Sequence, residues 1–243
     1  QKLIILFMSK SCDASFINAY KKLDPAAKRD FQDIILQNNL SSNFLRFARD
    51  NNFEDLIEDT FLNNLKLQKT RYQIHSLAIV MEIHQINELF KDEGLTPIYL
   101  KGVATQKEYD DIALRPLTDI DILLKRSEIL EAYEILHRNN FLIPKEKKYL
   151  DNKNINQFCK NFHHIQLISK NNISIELHHR TTLPSDFDDC PISKFFFEDF
   201  RTINYYGKKI NIPSIENTII HQLTHFSLQS DFRNLLRTMN DIR

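Results

Sequence analysis

Glycine is scarce in this chain of 243 residues, and its scarcity excludes several classes of enzyme. Only Gly94, Gly102 and Gly207 are present. Three glycines cannot supply the glycine-rich dinucleotide fingerprint, a Walker A loop or a GxSxG nucleophile elbow. A phosphate-binding site here must therefore depend on a single turn glycine, a helix N-terminus, basic side chains or carboxylates that hold a metal ion.

The sequence also lacks an excess of either charge, and it has few cysteines. Lys and Arg together number 32, as do Asp and Glu, so no global basic field marks a dedicated nucleic-acid binder. The cysteines, Cys12, Cys159 and Cys190, have no metal-binding spacing and predict a reducing cytoplasmic setting. The apolar run at residues 3–8 predicts a helix, because it is too short for a signal peptide or a membrane span.

The spacing of apolar residues divides the chain into three regions. Residues 1–92 have helical spacing and predict an N-terminal helical region, with a long helix over residues 67–91. Residues 93–212 contain short apolar runs, and residues 213–243 return to helical spacing. The sequence therefore predicts an α+β protein: a small mixed β-sheet with flanking helices between an N-terminal and a C-terminal helical region.

Four strands are predicted in the middle region. They cover residues 97–101, 119–124, 162–169 and 173–179. Helices are predicted at residues 103–111 and 127–138, the second with Ser127 as its N-cap. Residues 170–172 form a polar turn, which predicts an antiparallel hairpin of the last two strands, and residues 145–157 are interpreted as a surface loop.

Two of these strands carry carboxylates. Strand periodicity puts Asp119 and Asp121 on one face, with Cα atoms about 6.6 Å apart. On the last strand, Glu176 and His178 share the polar face. Three carboxylates on neighbouring strands suit divalent metal ions and phosphoryl or nucleotidyl transfer, although a pair of aspartates on a strand is more often a solvated face.

Basic residues near these strands are candidates for phosphate binding. Lys101 and Gly102 lie where the first strand meets a helix, so the lysine could contact a phosphate that the glycine lets approach the backbone. Arg115, four residues before Asp119, could add a bidentate contact. On spacing alone, an ordinary surface position is the favoured interpretation of each of these residues.

Histidines are concentrated on the predicted hairpin and the last helix. They are His163, His164, His178, His179, His221 and His225. No HExxH or Cys/His zinc spacing is present, so the spacing favours polar contacts over a zinc site. His164 and His178 are candidates for orienting a carboxylate or a phosphate.

Taken together, these segments resemble a known family. The segments are YLKG at residues 99–102, LRPLTDIDIL at 114–123, His164, and IELH at 175–178. Their order is similar to that of the uncharacterised bacterial nucleotidyltransferase family of the polymerase-β-like superfamily, and the resemblance covers roughly residues 67–242.

The resemblance implies a set of roles. Asp119, Asp121 and Glu176 would be the catalytic carboxylates that hold Mg²⁺ or Mn²⁺, and Glu176 could also deprotonate the acceptor. The implied nucleotide- and phosphate-binding residues are Lys101, Gly102, Arg115, Thr118 and His178. An NTP, expected to be ATP, would donate its NMP to an acceptor with release of pyrophosphate.

Two other classes of function stay open at this point. One is a nucleotide-binding or antitoxin-like interaction module that has lost turnover, and the other is a two-metal nuclease or phosphodiesterase. The acceptor could be a small molecule, a protein or an RNA such as tRNA, with the lysine-rich residues 145–153 as a local RNA contact. A membrane partner is not expected.

Overall fold

The computed structural model describes residues 2–8, 14–144, 154–181 and 192–229, together with residues 236, 239 and 241. Contacts divide the chain into two compact units. The first comprises Gln1–Ile74, Asp111–Pro116 and Ser230–Arg243, and the second comprises His75–Asp110 and Leu117–Gln229. The three-region division by apolar spacing stays a prediction. None of the helices in the described ranges has the length and apolar character needed to cross a bilayer.

The first unit is built from helices, as predicted. They are α1 (Lys2–Met8), α2 (Ala14–Lys21), α3 (Pro25–Gln37), α4 (Ser41–Asp50) and the first part of α5 (Asp59–Asp92), with short 3-10 helices at Glu54–Leu56 and Ile112–Leu114. Helix α3 begins with proline, and the Asp24 carboxylate accepts hydrogen bonds from the Ala26 and Ala27 amides at 2.9 and 2.8 Å. This cap satisfies two amides that the helix itself cannot pair.

Aromatic side chains form the core of the first unit. The buried rings are those of Phe7, Phe16, Tyr20, Phe31, Phe44, Phe47, Phe53 and Phe61. Phe44 is central, because its ring centroid lies 5.3 Å from that of Phe31 and 5.6 Å from that of Phe7. Edge-on ring contacts at these distances add to the free energy gained by burial.

Helix α5 is longer than predicted, and the sequence suggested an apolar face that includes Leu77, Met81, Ile86 and Phe90. Ile86 and Phe90 are fully buried, but Leu77 and Met81 are 49% and 73% exposed, so that face is partly wrong. The buried apolar side chains in the second half of the helix are those of Ile79, Val80, Ile83, Ile86 and Phe90, of which all but Val80 form one stripe. Their alternating spacing of four and three residues follows one side of a helix, whereas Leu77 and Met81 lie outside that stripe.

A six-stranded mixed sheet forms the centre of the second unit. Its strands are β1 (Ile98–Tyr99), β2 (Asp119–Leu123), β3 (His164–Ile168), β4 (Ser174–His178), β5 (Phe200–Tyr205) and β6 (Lys208–Pro213). The order is β3-β4-β2-β1-β6-β5. The four predicted strands and the β3–β4 hairpin are confirmed, and the α+β class with them.

Strands β5 and β6 were not predicted from the sequence. They form an antiparallel hairpin at the sheet edge, where β5 is mostly exposed and therefore carries little apolar signal. The turn between them has positive φ angles of 49° at Tyr206 and 95° at Gly207. This pair of left-handed residues is typical of a two-residue hairpin turn and explains the glycine.

Helices complete the second unit. They are the later part of α5, α6 (Lys101–Gln106), α7 (Ile129–Arg138), α8 (Ile155–Asn161), α9 (Ile192–Glu198) and α10 (Ile215–Gln229). Two sequence predictions are wrong here. The N-cap of α7 is Glu128 and not Ser127. The Glu128 carboxylate accepts a hydrogen bond from the Lys125 amide at 3.1 Å. Residues 155–157 begin α8, while residues 145–153 of the predicted loop lie outside the described residues.

The two faces of strands β2, β3 and β4 differ in chemistry. One face consists of fully buried aliphatic side chains, those of Ile120, Ile122, Ile165, Leu167, Ile175 and Leu177. Residues of α7 contact β4, and this helix buries its own apolar stripe. The opposite face carries the carboxylates and histidines, so the buried aliphatic layer fixes the position of the polar one.

Removal of the Phe44 ring should destabilise the protein strongly. The side chain is fully buried and sits among four other rings. We expect Phe44→Ala to lower the free energy of unfolding by roughly 3–5 kcal/mol, because it leaves a large cavity. Phe195→Ala is the matched control, since Phe195 is 52% exposed. Urea denaturation of the two variants measures the difference, and equal losses would contradict the assignment of Phe44 to the core.

Candidate active site

Parallel pairing of β2 with β4 brings two carboxylates side by side. In this register Asp121 lies opposite Glu176, and Asp119 lies opposite Ser174. Residues directly across a strand pair project to the same face of a sheet. Asp121 is almost completely buried, with 1% of its surface exposed, whereas Asp119 is half-buried.

The ammonium group of Lys101 lies against these carboxylates. Its Nζ is 2.6 Å from Asp121 Oδ1 and 3.8 Å from Glu176 Oε2. Lys101 is the first residue of α6 and has a φ of 45°, a left-handed conformation that a lysine rarely adopts. The preceding residue is tied to β2, because the Leu100 amide donates to the Asp121 carbonyl oxygen at 2.9 Å.

His178 links the same two carboxylates from the end of β4. Its Nε2 lies 2.8 Å from Asp121 Oδ1 and 3.2 Å from Glu176 Oε2. Because a carboxylate only accepts, the Nε2–H of His178 is the donor. Ligand atoms of Asp121, Glu176 and His178 all lie within 4.8 Å of one another, close enough to share one metal ion.

Comparison with known families decides the class of this protein. Residues 24–243 match the profile of the family described as uncharacterised nucleotidyltransferase. The chain belongs to this family. It is therefore a nucleotidyltransferase, an enzyme that transfers a nucleoside monophosphate group, and the predicted family is confirmed.

Solved structures resemble this nucleotidyltransferase only at low sequence identity and low structural similarity. The lincosamide antibiotic adenylyltransferase LnuA, with lincomycin bound, is 16% identical at a TM-score of 0.42, over 67% of this chain and 97% of that one. An antigenic nucleotidyltransferase-like protein from Paracoccidioides brasiliensis is 15% identical at a TM-score of 0.40, over 70% and 72%. No curated protein matches the sequence. These likenesses do not bear on the substrate.

The charges of the nucleotidyltransferase site compensate one another. Burial alone would raise the pKa of Asp121, but the Lys101 ammonium and the His178 hydrogen bond hold that pKa well below its usual value. Burial opposes the protonated forms of Lys101 and His178, and the carboxylates nevertheless raise the pKa of each. A buried carboxylate that contacts an ammonium group and accepts a hydrogen bond from a histidine N–H stays ionised at neutral pH.

Asp119 and Glu176 differ in their electrostatic surroundings. Burial, followed by the charge of Asp121, raises the pKa of Asp119. Burial also favours the neutral form of Glu176, but the His178 hydrogen bond and Lys101 lower the pKa of Glu176 overall. The pKa values of the two carboxyl groups are therefore shifted in opposite directions. Asp119 lies outside the groups of close metal-ligating atoms found among the described residues.

The remaining predicted site residues fall in different places. Gly102 is the second residue of α6, beside Lys101. Thr118 is exposed, and its hydroxyl donates to Asp119 Oδ1 at 3.0 Å. Arg115 belongs to the first unit, where its Nε donates to both Asp241 carboxylate oxygens at 2.7 Å. Its guanidinium is thus engaged within that unit, and its phosphate contact stays a prediction.

Sequence reasoning missed how closely the histidines gather. His163 and His164 contact each other, with Nε2 and Nδ1 3.0 Å apart, and His164 pairs with His178 across the hairpin. Burial, followed by the neighbouring His164 and His178, lowers the pKa of His163 to about 3. The signal was available, because His164 and His178 are equally distant from Asn171 at the centre of the predicted turn.

Loss of the Lys101 ammonium should destabilise the protein. Asp121 would keep a buried negative charge without its closest cation. We expect Lys101→Met to lower the free energy of unfolding by roughly 3 kcal/mol. Added Mg²⁺ should restore more stability to this variant than to the wild type, because the carboxylates are then free for another cation.

Lys69→Met is the matched control for this variant. Lys69 also lies 2.7 Å from a carboxylate, that of Asp111, but both side chains are more than a quarter exposed. An exposed pair of this kind contributes about 1 kcal/mol or less. Thermal unfolding with and without Mg²⁺ measures both variants; equal losses, or no gain from Mg²⁺ in Lys101→Met, would contradict the charge balance described here.

Stability should also fall in mild acid because of a buried histidine on α10. His221 is 3% exposed, its ring lies 5.7 Å from that of Phe196, and burial lowers the pKa of His221 to about 3. The unfolded chain therefore binds more protons below about pH 6.5, and stability is lost as pH falls from there towards 3. At pH 5 this loss amounts to about 2 kcal/mol.

The variant His221→Phe should lose less stability than the wild type between pH 7 and pH 5. Its slope of unfolding free energy against pH is the measurement, since the variant cannot take up that proton on unfolding. His137→Phe, at an exposed position on α7, is the control and should keep the wild-type slope. An unchanged slope in His221→Phe would show that His221 is not the group that titrates.

Proposed function

We propose that this nucleotidyltransferase transfers an NMP, and specifically AMP from ATP, to an acceptor oxygen in an Mg²⁺- or Mn²⁺-dependent reaction. The observation that carries the proposal is the triad of Asp121, Glu176 and Lys101 at the junction of β2, β4 and α6. Two carboxylates and one lysine at this spacing provide both the negative groups that hold a cation and the positive group that binds a phosphate.

The donor set fits a divalent cation. Asp121, Glu176 and His178 offer atoms within 4.8 Å of one another, and the Lys101 ammonium already acts as a cationic partner of both carboxylates. We assign the metal-holding role to Asp121 and Glu176 on this geometry, and to Asp119 on the family resemblance. When bound, such an ion neutralises phosphate charge and activates an oxygen nucleophile.

The nucleotide would be held by residues around α6. Lys101 can exchange its carboxylate partners for triphosphate oxygens, and Gly102 beside it presents no side chain to block their approach. Thr118 is exposed next to Asp119 and offers a hydroxyl, and His178 orients the carboxylates. Arg115 stays in the proposed set as a prediction from the sequence alone.

In the transfer step the acceptor oxygen forms a bond to the α-phosphorus of the NTP. The bond from that phosphorus to the oxygen bridging to the β-phosphate breaks, and pyrophosphate leaves. The acceptor hydroxyl must lose its proton. That proton would pass to a carboxylate of the site, Glu176 in the prediction from the sequence, and a bound divalent ion would assist by lowering the pKa of the acceptor hydroxyl.

The acceptor is proposed only as a class: a small molecule, a protein side chain or an RNA end. We expect the reaction to take place in a reducing cytoplasm, where the buried Cys159 stays a free thiol. The zero net charge makes a long RNA the weakest of the three, because phosphate contacts need local basic surface.

Label transfer tests the proposal. Each of the four NTPs, labelled at the α-phosphate, is incubated with the protein, Mg²⁺ or Mn²⁺, and an extract separated into RNA, protein and small-molecule fractions. We expect label from ATP in one fraction, with pyrophosphate released. Asp121→Asn should lower the rate at least about a hundredfold, because it removes one metal-holding charge without changing shape.

Asp50→Asn is the matched control, since Asp50 is in an exposed pair with Arg46 on α4. It should keep the wild-type rate. Circular dichroism shows whether Asp121→Asn is folded. Full transfer by folded Asp121→Asn would refute the assigned site. Nucleotide binding by the wild type without pyrophosphate release would refute the proposed reaction and favour a module that has lost turnover.

A further inference from the structure

Three histidine rings gather at the open end of the β3–β4 hairpin. His164 and His178 are direct partners in the antiparallel register, and His163 precedes β3. The ring centroids lie 4.4 Å apart for His163 and His164, 5.4 Å for His163 and His178, and 5.1 Å for His164 and His178. One ring nitrogen from each residue lies within 4.8 Å of the other two.

Two ring nitrogens in this cluster have no partner among the described residues. They are Nδ1 of His163 and Nδ1 of His178, and both atoms are buried. His178 as a whole is 1% exposed, and its Nε2–H donates to the carboxylate of Asp121. In the neutral ring Nδ1 therefore carries a lone pair, and leaving such an acceptor buried and unsatisfied is costly.

A cation bound at Nδ1 of His178 would satisfy that buried acceptor, and the nitrogens by which His163 and His164 approach each other, Nε2 and Nδ1, lie 3.0 Å apart. Histidine binds metals through an unprotonated ring nitrogen, and the second nitrogen is commonly fixed by a carboxylate. The Asp121–His178 contact at 2.8 Å has this form. His163 and His164 are only half-buried, so an ion can reach the cluster from solvent.

We propose that His163, His164 and His178 form a binding site for a divalent transition-metal ion such as Zn²⁺. Its ligands differ from the carboxylates assigned to Mg²⁺, although His178 also lies in the close group with Asp121 and Glu176. Imidazole nitrogens suit zinc and the later first-row metals, whereas Mg²⁺ requires oxygen ligands. The absence of a sequence motif does not oppose the site, because strand pairing, rather than spacing along one helix, assembles it.

The proposal does not rest on the transfer reaction. It concerns equilibrium binding of a metal alone, which can be measured with no nucleotide and no acceptor present. If the protein does not bind Zn²⁺, the proposed transfer reaction is unaffected. If no label is transferred from an NTP, the measured Zn²⁺ binding still tests the histidine site.

Calorimetric titration of the metal-free full chain with Zn²⁺ is the test, with Co²⁺ absorption as a second readout. We expect one site, and visible Co²⁺ bands typical of nitrogen ligands. His163→Ala and His164→Ala should each weaken Zn²⁺ binding at least about tenfold. Mg²⁺ binding should change less than twofold, because its ligands are the carboxylates.

His137→Ala is the matched control, because it removes an exposed histidine on α7 and should leave Zn²⁺ affinity unchanged. Circular dichroism checks that each variant is folded. The proposal is overturned if wild-type protein binds no Zn²⁺. It is overturned as well if folded His163→Ala and His164→Ala bind Zn²⁺ as tightly as the wild type while Asp121→Asn does not, which would place the ion among the carboxylates.

Discussion

The whole site depends on one buried negative charge. Parallel pairing of β2 with β4 sets Asp121 beside Glu176, and the aliphatic layer on the other face fixes that register. Two carboxylates so close repel, and a buried one is costly unless cations lie near it. Lys101, at the start of α6, is such a cation, and His178, at the end of β4, donates a hydrogen bond to the same carboxylate. The geometry of all four residues therefore follows from keeping Asp121 ionised.

Asp121 also stabilises the strained backbone of Lys101. A non-glycine residue with φ of 45° costs about 1–3 kcal/mol unless the surrounding structure holds it. Here the Leu100 amide is bound to the Asp121 carbonyl at 2.9 Å, and the Lys101 side chain reaches the Asp121 carboxylate at 2.6 Å. One aspartate thus contacts the strained turn through its backbone and its side chain. The left-handed backbone conformation places the ammonium group beside the carboxylates.

Sequence periodicity was sufficient for the parts of this arrangement that repeat along the chain. Alternation along β2 and β4 predicted which face carries Asp121 and Glu176, and the polar turn at residues 170–172 predicted the hairpin. The sequence could not show that β2 lies beside β4, because strand order depends on contacts between distant segments. The edge hairpin of β5 and β6 was not predicted for another reason, because an exposed strand has weak apolar alternation. Arg115 shows a third limit, since its partner Asp241 is 126 residues away.

In the proposed reaction, competition between cations would link metal binding to nucleotide binding. The Lys101 ammonium lies 2.6 Å from Asp121 Oδ1, and a divalent ion held by Asp121 and Glu176 would compete with it for the same carboxylates. A triphosphate would offer the ammonium an alternative anionic partner. An ion on the carboxylates would then release Lys101 towards phosphate, and phosphate that draws Lys101 away would release the carboxylates towards the ion. By linkage, each ligand would raise the affinity for the other by the same factor. The lysine that stabilises these carboxylates would thus couple the two ligands of the proposed reaction.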